Sequence, residues 1–351
     1  MKKTLLQGNK ALAESAILSG CRFYAGYPIT PQNEIPEYLS TRMNKIGGIF
    51  IQAESELSAI NMLYGASACG IRAMTTSSSP GISLMQEGIS FLAAAELPSV
   101  IVNIQRGGPG LGNISASQGD YFQSVKGGGH GDYKLLVYSP YTVQEMWDLT
   151  AIAFDRAEKY RIPAMILADA IIGQMTEPII MRKPPKSTPY QKEYSFQVKR
   201  KDKWFPIIIK TLRTAEGELS NFNLNLHTKY KEIQNNEVLY ETLFINDAEL
   251  IVVAFGISAR IASSAITKLR SKGHKVGLLR PITLFPFPSN IIHQLACKGV
   301  RFITIELNMG QMFEDVKLAI NGKSELSFYG KPSGSLFAPK ELEEVLLKHL
   351  I

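Results

Sequence analysis

Phe23-Tyr24-Ala25-Gly26-Tyr27-Pro28-Ile29-Thr30-Pro31 joins a short apolar run to a loop in which a small hydroxyl sits among prolines. Proline fixes its own φ and disfavours the helical region for the residue before it, so Tyr27 and Thr30 are pushed toward extended backbone. Proline is also excluded from central strands. The stretch therefore reads as a strand, Phe23 to Ala25, ending in a rigid loop. In open α/β sheets, ligands bind at that carboxyl edge. On these residues alone two uses stay open: a structural strand-to-helix turn, or a platform holding Thr30 against a substrate.

The flanking segments alternate in the same way. Gly8 to Gly20 reads as a helix, with Ala13, Ala16 and Ile17 on one face. Gly48 to Gln52, Arg72 to Thr76, Ser99 to Ile104 and Ala164 to Ala168 read as strands. Leu57 to Cys69, Gly81 to Ala95 and Val143 to Tyr160 read as helices. Such alternation predicts a mostly parallel sheet covered on both faces. The pattern resumes near Ala248, with strands at Leu250 to Ala254, Val276 to Leu279 and Arg301 to Ile305. Helices are read at Ser258 to Ser271, Asn290 to Lys298, Gln311 to Ile320 and Pro339 to Leu350. The prediction is an α/β chain of two doubly wound domains, residues 1–181 and 248–351.

Charge marks what lies between them. The 351 residues carry a formal net charge of +7. Arg182 to Lys203 holds eight Lys/Arg against Glu193 and Asp202, a local +6. With Pro184, Pro185 and Pro189, this reads as a solvated basic linker within residues 182–247. Docking of a partner subunit or an acidic electron carrier is the alternative. The near-neutral remainder lacks the basic stripe of a nucleic-acid-binding face. Gln7, Asn9, Lys10 and Glu14 interrupt any signal-peptide core after Met1-Lys2-Lys3. No run approaches the ~20 apolar residues of a membrane span. Cys21, Cys69 and Cys297 stand far apart without a Cys-x-x-Cys, so neither a zinc site nor a cysteine-held cluster is written here. This usage suits a reducing cytoplasm, with each cysteine read as a small buried apolar residue.

Four segments carry residues suited to chemistry. In Gln52-Ala53-Glu54-Ser55-Glu56, a strand end opens a helix. Either Glu can favour the helix N-terminus electrostatically, and either can serve as a buried acid. Thr75 to Gly81, Thr-Thr-Ser-Ser-Ser-Pro-Gly, precedes a helix; Ser78 and Ser79 are helix caps or pocket hydroxyls. Arg106 follows a strand and leads Gly107-Gly108-Pro109-Gly110-Leu111-Gly112. An arginine fork suits a carboxylate, and glycines let backbone approach a ligand closely. No Gly-Lys-Ser/Thr follows, so this is not a nucleotide P-loop. Gly127-Gly128-Gly129-His130-Gly131-Asp132 is a second glycine-rich loop, with His130 either structural or a donor to a substrate carbonyl.

Taken in order, Tyr27-Pro28-Ile29-Thr30-Pro31, Ser55-Glu56 with Gly65, Arg106-Gly107-Gly108-Pro109 and His130-Gly131-Asp132 make the chain resemble the alpha-type subunits of the 2-oxoacid:ferredoxin oxidoreductases. These are thiamine-diphosphate enzymes of anaerobic metabolism. The resemblance covers nearly the whole chain, least between about Pro184 and Asn246, and is greatest to the branched-chain (2-oxoisovalerate) members. Part of that preference is the compact linker with His227-Thr228-Lys229-Tyr230 and Glu237. The resemblance implies a pyrimidine-binding-type domain followed by a transketolase C-terminal-type domain. It implies that Glu56 serves the cofactor's aminopyrimidine, with Gly65 packing closely behind the helix. It also implies that Arg106 and Thr30 hold the substrate carboxylate, with His130, Ser78 and Ser79 in the pocket. No Gly-Asp-Gly with a following Asn marks a diphosphate and metal site, so no metal is assigned to this chain. A beta subunit is implied for the diphosphate and Mg²⁺, and an iron–sulfur cluster on partner subunits. Gamma and ferredoxin-like subunits, ferredoxin and coenzyme A as co-substrate complete the set. The alternatives are a 2-oxoglutarate enzyme and a non-catalytic assembly subunit with the same fold.

Overall fold

Apolar β-branched runs bury both faces when helices cover a parallel sheet, and the central strands here do so. The computed structural model describes residues 3–184, 190, 192–195 and 208–350. The chain opens with Thr4–Gln7 (β1), Gly8–Leu18 (α1), Phe23–Gly26 (β2), Glu34–Arg42 (α2), Ile49–Gln52 (β3) and Glu56–Ala68 (α3). Ala73–Ser77 (β4), Ser79–Ala94 (α4), Ser99–Gln105 (β5), Tyr121–Val125 (α5) and Leu136–Tyr138 (β6) follow. Val143–Tyr160 (α6), Pro163–Asp169 (β7), Ala170–Gln174 (α7) and Thr176–Ile179 (β8) close this half. Strands β2, β4, β5 and β7 are buried along their whole lengths. β3 lies at the sheet edge, and its Ile49 is 49% exposed. Two helix starts carry side-chain caps: Ser55 Oγ accepts from Ser58 N before α3, and Thr142 Oγ1 accepts from Glu145 N before α6.

The second half holds Glu218–Asn236 (α8), Tyr240–Leu243 (β9), Leu250–Val253 (β10), Gly256–Ser271 (α9), Val276–Pro281 (β11) and Thr283–Phe285 (β12). Ser289–Ala296 (α10), Arg301–Glu306 (β13), Gln311–Ile320 (α11), Leu326–Gly330 (β14) and Pro339–Leu350 (α12) complete it. Among the described residues, one sheet has seven strands in the order β12-β6-β7-β5-β4-β2-β3, and the other five in the order β14-β13-β10-β11-β9. The pairs within them are parallel except β12 with β6 and β9 with β11. β1 and β8 form a separate antiparallel pair. No helix among the described residues is long and apolar enough to cross a membrane.

Several expectations change. Residues 182–247 are not simply a linker. They contain α8, which buries Leu226, Tyr230 and Ile233 as one stripe. Glu237, just after α8, accepts from Arg156 Nε at 2.6 Å, Lys159 Nζ at 2.8 Å and Tyr160 OH at 2.7 Å, which pins the segment to α6. Much of the basic stretch lies outside the described residues. Within them, Lys192 pairs with Glu158 at 2.6 Å and donates to Gly70 O at 2.7 Å, so this part packs on its own chain and is not free in solvent. β12 comes from beyond Ala248 yet extends the first sheet. The cysteines are not uniformly buried. Cys21 is buried, its thiol pushed up to about 12 by desolvation, while Cys69 is half-buried and Cys297 exposed.

Polar side chains bind the two sheets along their seam. Arg280 of β11, 1% exposed, donates to Glu145 of α6 at 3.0 and 2.7 Å and to Glu241 of β9 at 3.0 Å, stacked 3.7 Å from the Tyr141 ring centre. Gln118 donates to Phe255 O at 2.8 Å and accepts from Ser258 Oγ at 2.7 Å and Leu307 N at 3.0 Å. Asp169, at the end of β7, accepts from Ile257 N at 2.6 Å, at the start of α9. Gly256 is required there: its φ is +52°, and a Cβ would fall 2.1 Å from Asp169 Oδ2.

Candidate active site at the carboxyl edge of the first sheet

The sequence-derived candidates Thr30, Glu56, Ser78, Ser79 and Arg106 all follow strands of one sheet, and these strands are neighbours: β5, β4, β2 and β3. β2 lies between β3 and β4, so the chain steps outward from β2 to β3 and then crosses back past β2 to β4. Such a reversal opens a crevice at the carboxyl ends of the strands. The loop of residues 27–32 sits on one side of it and Ser78 on the other. Gln32 fixes that loop, donating from Nε2 to Tyr27 O at 3.3 Å and accepting from Thr76 Oγ1, while Tyr24 OH meets the same threonine hydroxyl at 2.7 Å.

Glu54 and Glu56 are told apart by burial. Glu54 is exposed, and a bond from Ser58 Oγ holds its carboxyl below the ordinary value. Glu56, the first residue of α3, is 5% exposed and accepts from Ser77 Oγ at 3.3 Å. The opposing wall is Gly81 of α4. A Cβ there would lie 2.3 Å from Glu56 Oε1 and 2.0 Å from Ser77 Oγ. Glycine at residue 81 is what lets the carboxylate lie flat against α4. Gly65 does not have the packing role expected of it: it is exposed, and a Cβ on it would touch nothing within 4 Å. The close approach of α3 and α4 is at Gly88, where a Cβ would fall 2.5 Å from Ile60.

Arg106 is 8% exposed, and among the described residues no carboxylate pairs with it. Its Nη1 donates to Thr30 O at 2.9 Å and its Nη2 to Leu111 O at 3.2 Å, while the buried Nε has no partner among the described residues. The guanidinium thus meets the backbone of Thr30. The loop of residues 107–115 closes on itself, with Asn113 N donating to Gly107 O at 3.0 Å. Ser79 supports this arrangement. Its Oγ accepts from Arg106 N at 3.0 Å and lies 2.6 Å from Asp120 Oδ2, which also accepts from Asn103 Nδ2 at 2.8 Å. Burial holds the Asp120 carboxyl above its ordinary value against the pull of those bonds. Ser78 is fully buried, and its hydroxyl does not cap α4; among the described residues neither it nor Thr75 Oγ1 has a hydrogen-bond partner.

His130 is not brought to this edge. It is exposed, and its ring meets Phe91 edge-on at 6.5 Å. Phe91 lies twelve residues along α4 from Ser79, about 18 Å at 1.5 Å per residue. The glycines before His130 serve packing: Gly128 lies where a Cβ would strike the Gln86 side chain at 2.4 Å. Sequence reasoning missed Gln32, Asn103 and Asp120. Asn103 had a signal, an amide inside the apolar run Val100-Ile101-Val102-Asn103-Ile104. Among the described residues, no group of three or more His, Cys, Asp or Glu is placed to hold a metal ion.

Two family models match successive parts of the chain. Residues 14–240 match the family model described as pyruvate flavodoxin/ferredoxin oxidoreductase, thiamine diphosphate-binding, and residues 248–342 match pyruvate:ferredoxin oxidoreductase core domain II. The chain belongs to the 2-oxoacid:ferredoxin oxidoreductase family. The ketoisovalerate oxidoreductase subunit VorB of Methanothermobacter thermautotrophicus is 49% identical over 99% of this chain and 97% of its own length. The 2-oxoglutarate synthase subunit KorA of Methanocaldococcus jannaschii is 39% identical over 99% and 100%. Among solved structures, the 2-oxoglutarate:ferredoxin oxidoreductase of Magnetococcus marinus, with 2-oxoglutarate, coenzyme A and succinyl-CoA bound, superposes with a TM-score of 0.89 at 25% identity. That match covers all of this chain but 66% of the solved one.

Proposed function

We propose that this chain is the alpha-type subunit of a thiamine-diphosphate-dependent 2-oxoacid:ferredoxin oxidoreductase acting on a branched-chain 2-oxoacid, 2-oxoisovalerate. One observation carries the reading: a buried Glu56 facing Gly81 at the end of β3, and an Arg106 with no carboxylate partner among the described residues at the end of β5, on the same carboxyl edge of one sheet. Identity of 49% to a ketoisovalerate subunit against 39% to a 2-oxoglutarate subunit supports the branched-chain substrate.

The residues fit the aminopyrimidine end of the cofactor. Gly81 leaves the Glu56 carboxylate unobstructed by a Cβ, and the buried Ser78 and Thr75 hydroxyls await partners. When bound, thiamine diphosphate supplies the carbon nucleophile and the electron sink that a 2-oxoacid needs to lose carbon dioxide. Glu56 holds a proton at the pyrimidine nitrogen N1′, the task of a buried acid–base group. Arg106 offers the substrate carboxylate the N–H groups it does not spend on Thr30 and Leu111. Thr30 orients the guanidinium through its carbonyl, and its hydroxyl is the group proposed to join Arg106 at the substrate carboxylate. Ser79 positions Arg106. The diphosphate and Mg²⁺ fall to a beta subunit, and the iron–sulfur cluster to partner subunits, with gamma and ferredoxin-like subunits in the assembly. The net reaction passes an acyl group to coenzyme A, releases carbon dioxide and delivers two electrons to ferredoxin, in the cytoplasm. Residues 1–181 and 248–351 are the two domains of this subunit.

The test is acyl-CoA formation by the purified native complex with 2-oxoisovalerate, 2-oxoglutarate and pyruvate. The highest kcat/KM is expected with 2-oxoisovalerate. A preference for 2-oxoglutarate overturns the substrate, and no turnover by the intact complex overturns the enzyme in favour of an assembly role.

A further inference from the structure

The second glycine-rich loop and α8 have no part in the site above, yet they enclose a cavity of about 640 Å³. That is within the roughly 300–1,000 Å³ of small-molecule sites. It lies at the opposite end of the first sheet from Arg106: Lys134 precedes β6, and Phe285 of β12 pairs with Val137 near the start of that strand. Three rings line it, Tyr133, Tyr230 and Phe285, the last two meeting edge to face at 6.3 Å. Lys126, Lys134 and His227 face the same space. Lys126 pairs with Asp315. Lys134 has no carboxylate within hydrogen-bond reach among the described residues, and its ammonium lies 5.8 Å from the Phe285 ring centre. Burial, with Lys126 nearby, holds Lys134 below the ordinary lysine value. Asp132, which also lines the cavity, and Asp315 act on Lys134 only through space, so its ammonium has no bonded counter-ion, and a bound anion would supply one. The loop that leads to Tyr133 and Lys134 is held on α4, because Gly128 and Gly129 press their backbone on Gln86.

We propose that this cavity is a second ligand site for a phosphorylated aromatic heterocycle, a nucleotide either free or as the end of a larger carrier. The heterocycle lies among Tyr133, Tyr230 and Phe285, packed against the parts of these rings that line the cavity. The phosphate meets Lys134, with Lys126 and His227 beside it. Calorimetry on the assembled complex tests this with AMP, adenosine and inorganic phosphate titrated separately. AMP is expected to bind at least about tenfold more tightly than either fragment, and Lys134→Gln to weaken AMP about tenfold or more. Arg106→Lys should leave AMP affinity unchanged, which separates this site from the proposed active site. Displacement of AMP by coenzyme A identifies the nucleotide end of a carrier, and no displacement a free nucleotide. Absence of AMP binding, as when a partner subunit covers the cavity, overturns the proposal. So does phosphate binding as tightly as AMP, or unchanged affinity in Lys134→Gln.

Discussion

Gly81→Ala sets helix propensity against site geometry. Alanine within a helix is favoured over glycine by about 1 kcal/mol, so propensity alone argues for a more stable protein. The site argues otherwise. The new Cβ would stand 2.3 Å from Glu56 Oε1 and 2.0 Å from Ser77 Oγ. Ordinary contact needs about 3.5 Å, so the carboxylate must withdraw by about 1 Å or α4 must move. Overpacking of this kind costs about 1–3 kcal/mol, which exceeds the propensity gain. A displacement of about 1 Å in a catalytic arrangement can lower the rate about 10²-fold. The assay is steady-state acyl-CoA formation by the assembled complex, with thermal unfolding in parallel. The expected variant is folded, less stable by at most about 2 kcal/mol and slower in kcat by about 10²-fold. A variant with wild-type kcat would refute the position assigned to the Glu56 carboxylate.

Three further outcomes are expected. Arg106→Lys gives up the bonds to Thr30 O and Leu111 O and should lower kcat/KM about ten- to a hundredfold. Thr30→Val keeps its carbonyl and should lose less, and the double variant should lose less than the sum; additive losses would separate the two residues. Burial raises the Asp169 and Glu306 carboxyls to about 7 in the folded chain, against about 4 unfolded. The folded state therefore binds more protons between about pH 4 and 7, and stability falls as pH rises through that window. Tm should be higher near pH 5.5 than near pH 8, with a flatter slope in Asp169→Asn; an unchanged slope in that variant counts against the seam as described. Arg280→Met removes the cation shared by Glu145 and Glu241. Breaking a buried pair costs about 3–5 kcal/mol, and the partial exposure of both acids puts denaturant unfolding near the lower figure. A loss under about 1 kcal/mol would make the cluster an ordinary surface one.

The parts legible in the sequence were those set by local chemistry. Pro28 and Pro31 announced the end of β2, and the apolar runs of β4, β5 and β7 announced buried parallel strands. The choice of Glu56 over Glu54 came from resemblance, and burial now supplies a physical reason for it. What stayed hidden was non-local. Thr283-Leu284-Phe285 carries no signal that it will leave one sheet to pair with β6 of the other. α8 has a single buried stripe of three residues among Asn, Lys and Thr, too thin to outweigh its polar neighbours. The resemblance places His130 in the pocket with Arg106, but α4 separates the two along its length. Gly128 and Gly129 of the His130 loop answer to Gln86, a contact no spacing reveals.

The most direct test of the central claim is exchange of the thiamine C2 proton, followed by NMR in the assembled complex carrying Glu56→Gln or Glu54→Gln. An amide cannot share a proton with the pyrimidine nitrogen as a carboxyl does. Glu56→Gln should slow exchange by about 10²–10⁴-fold with the fold intact. Glu54→Gln, at an exposed helix entrance, should leave it near wild type. Unimpaired exchange in Glu56→Gln, or the larger loss in Glu54→Gln, would contradict the assignment of Glu56 to the cofactor.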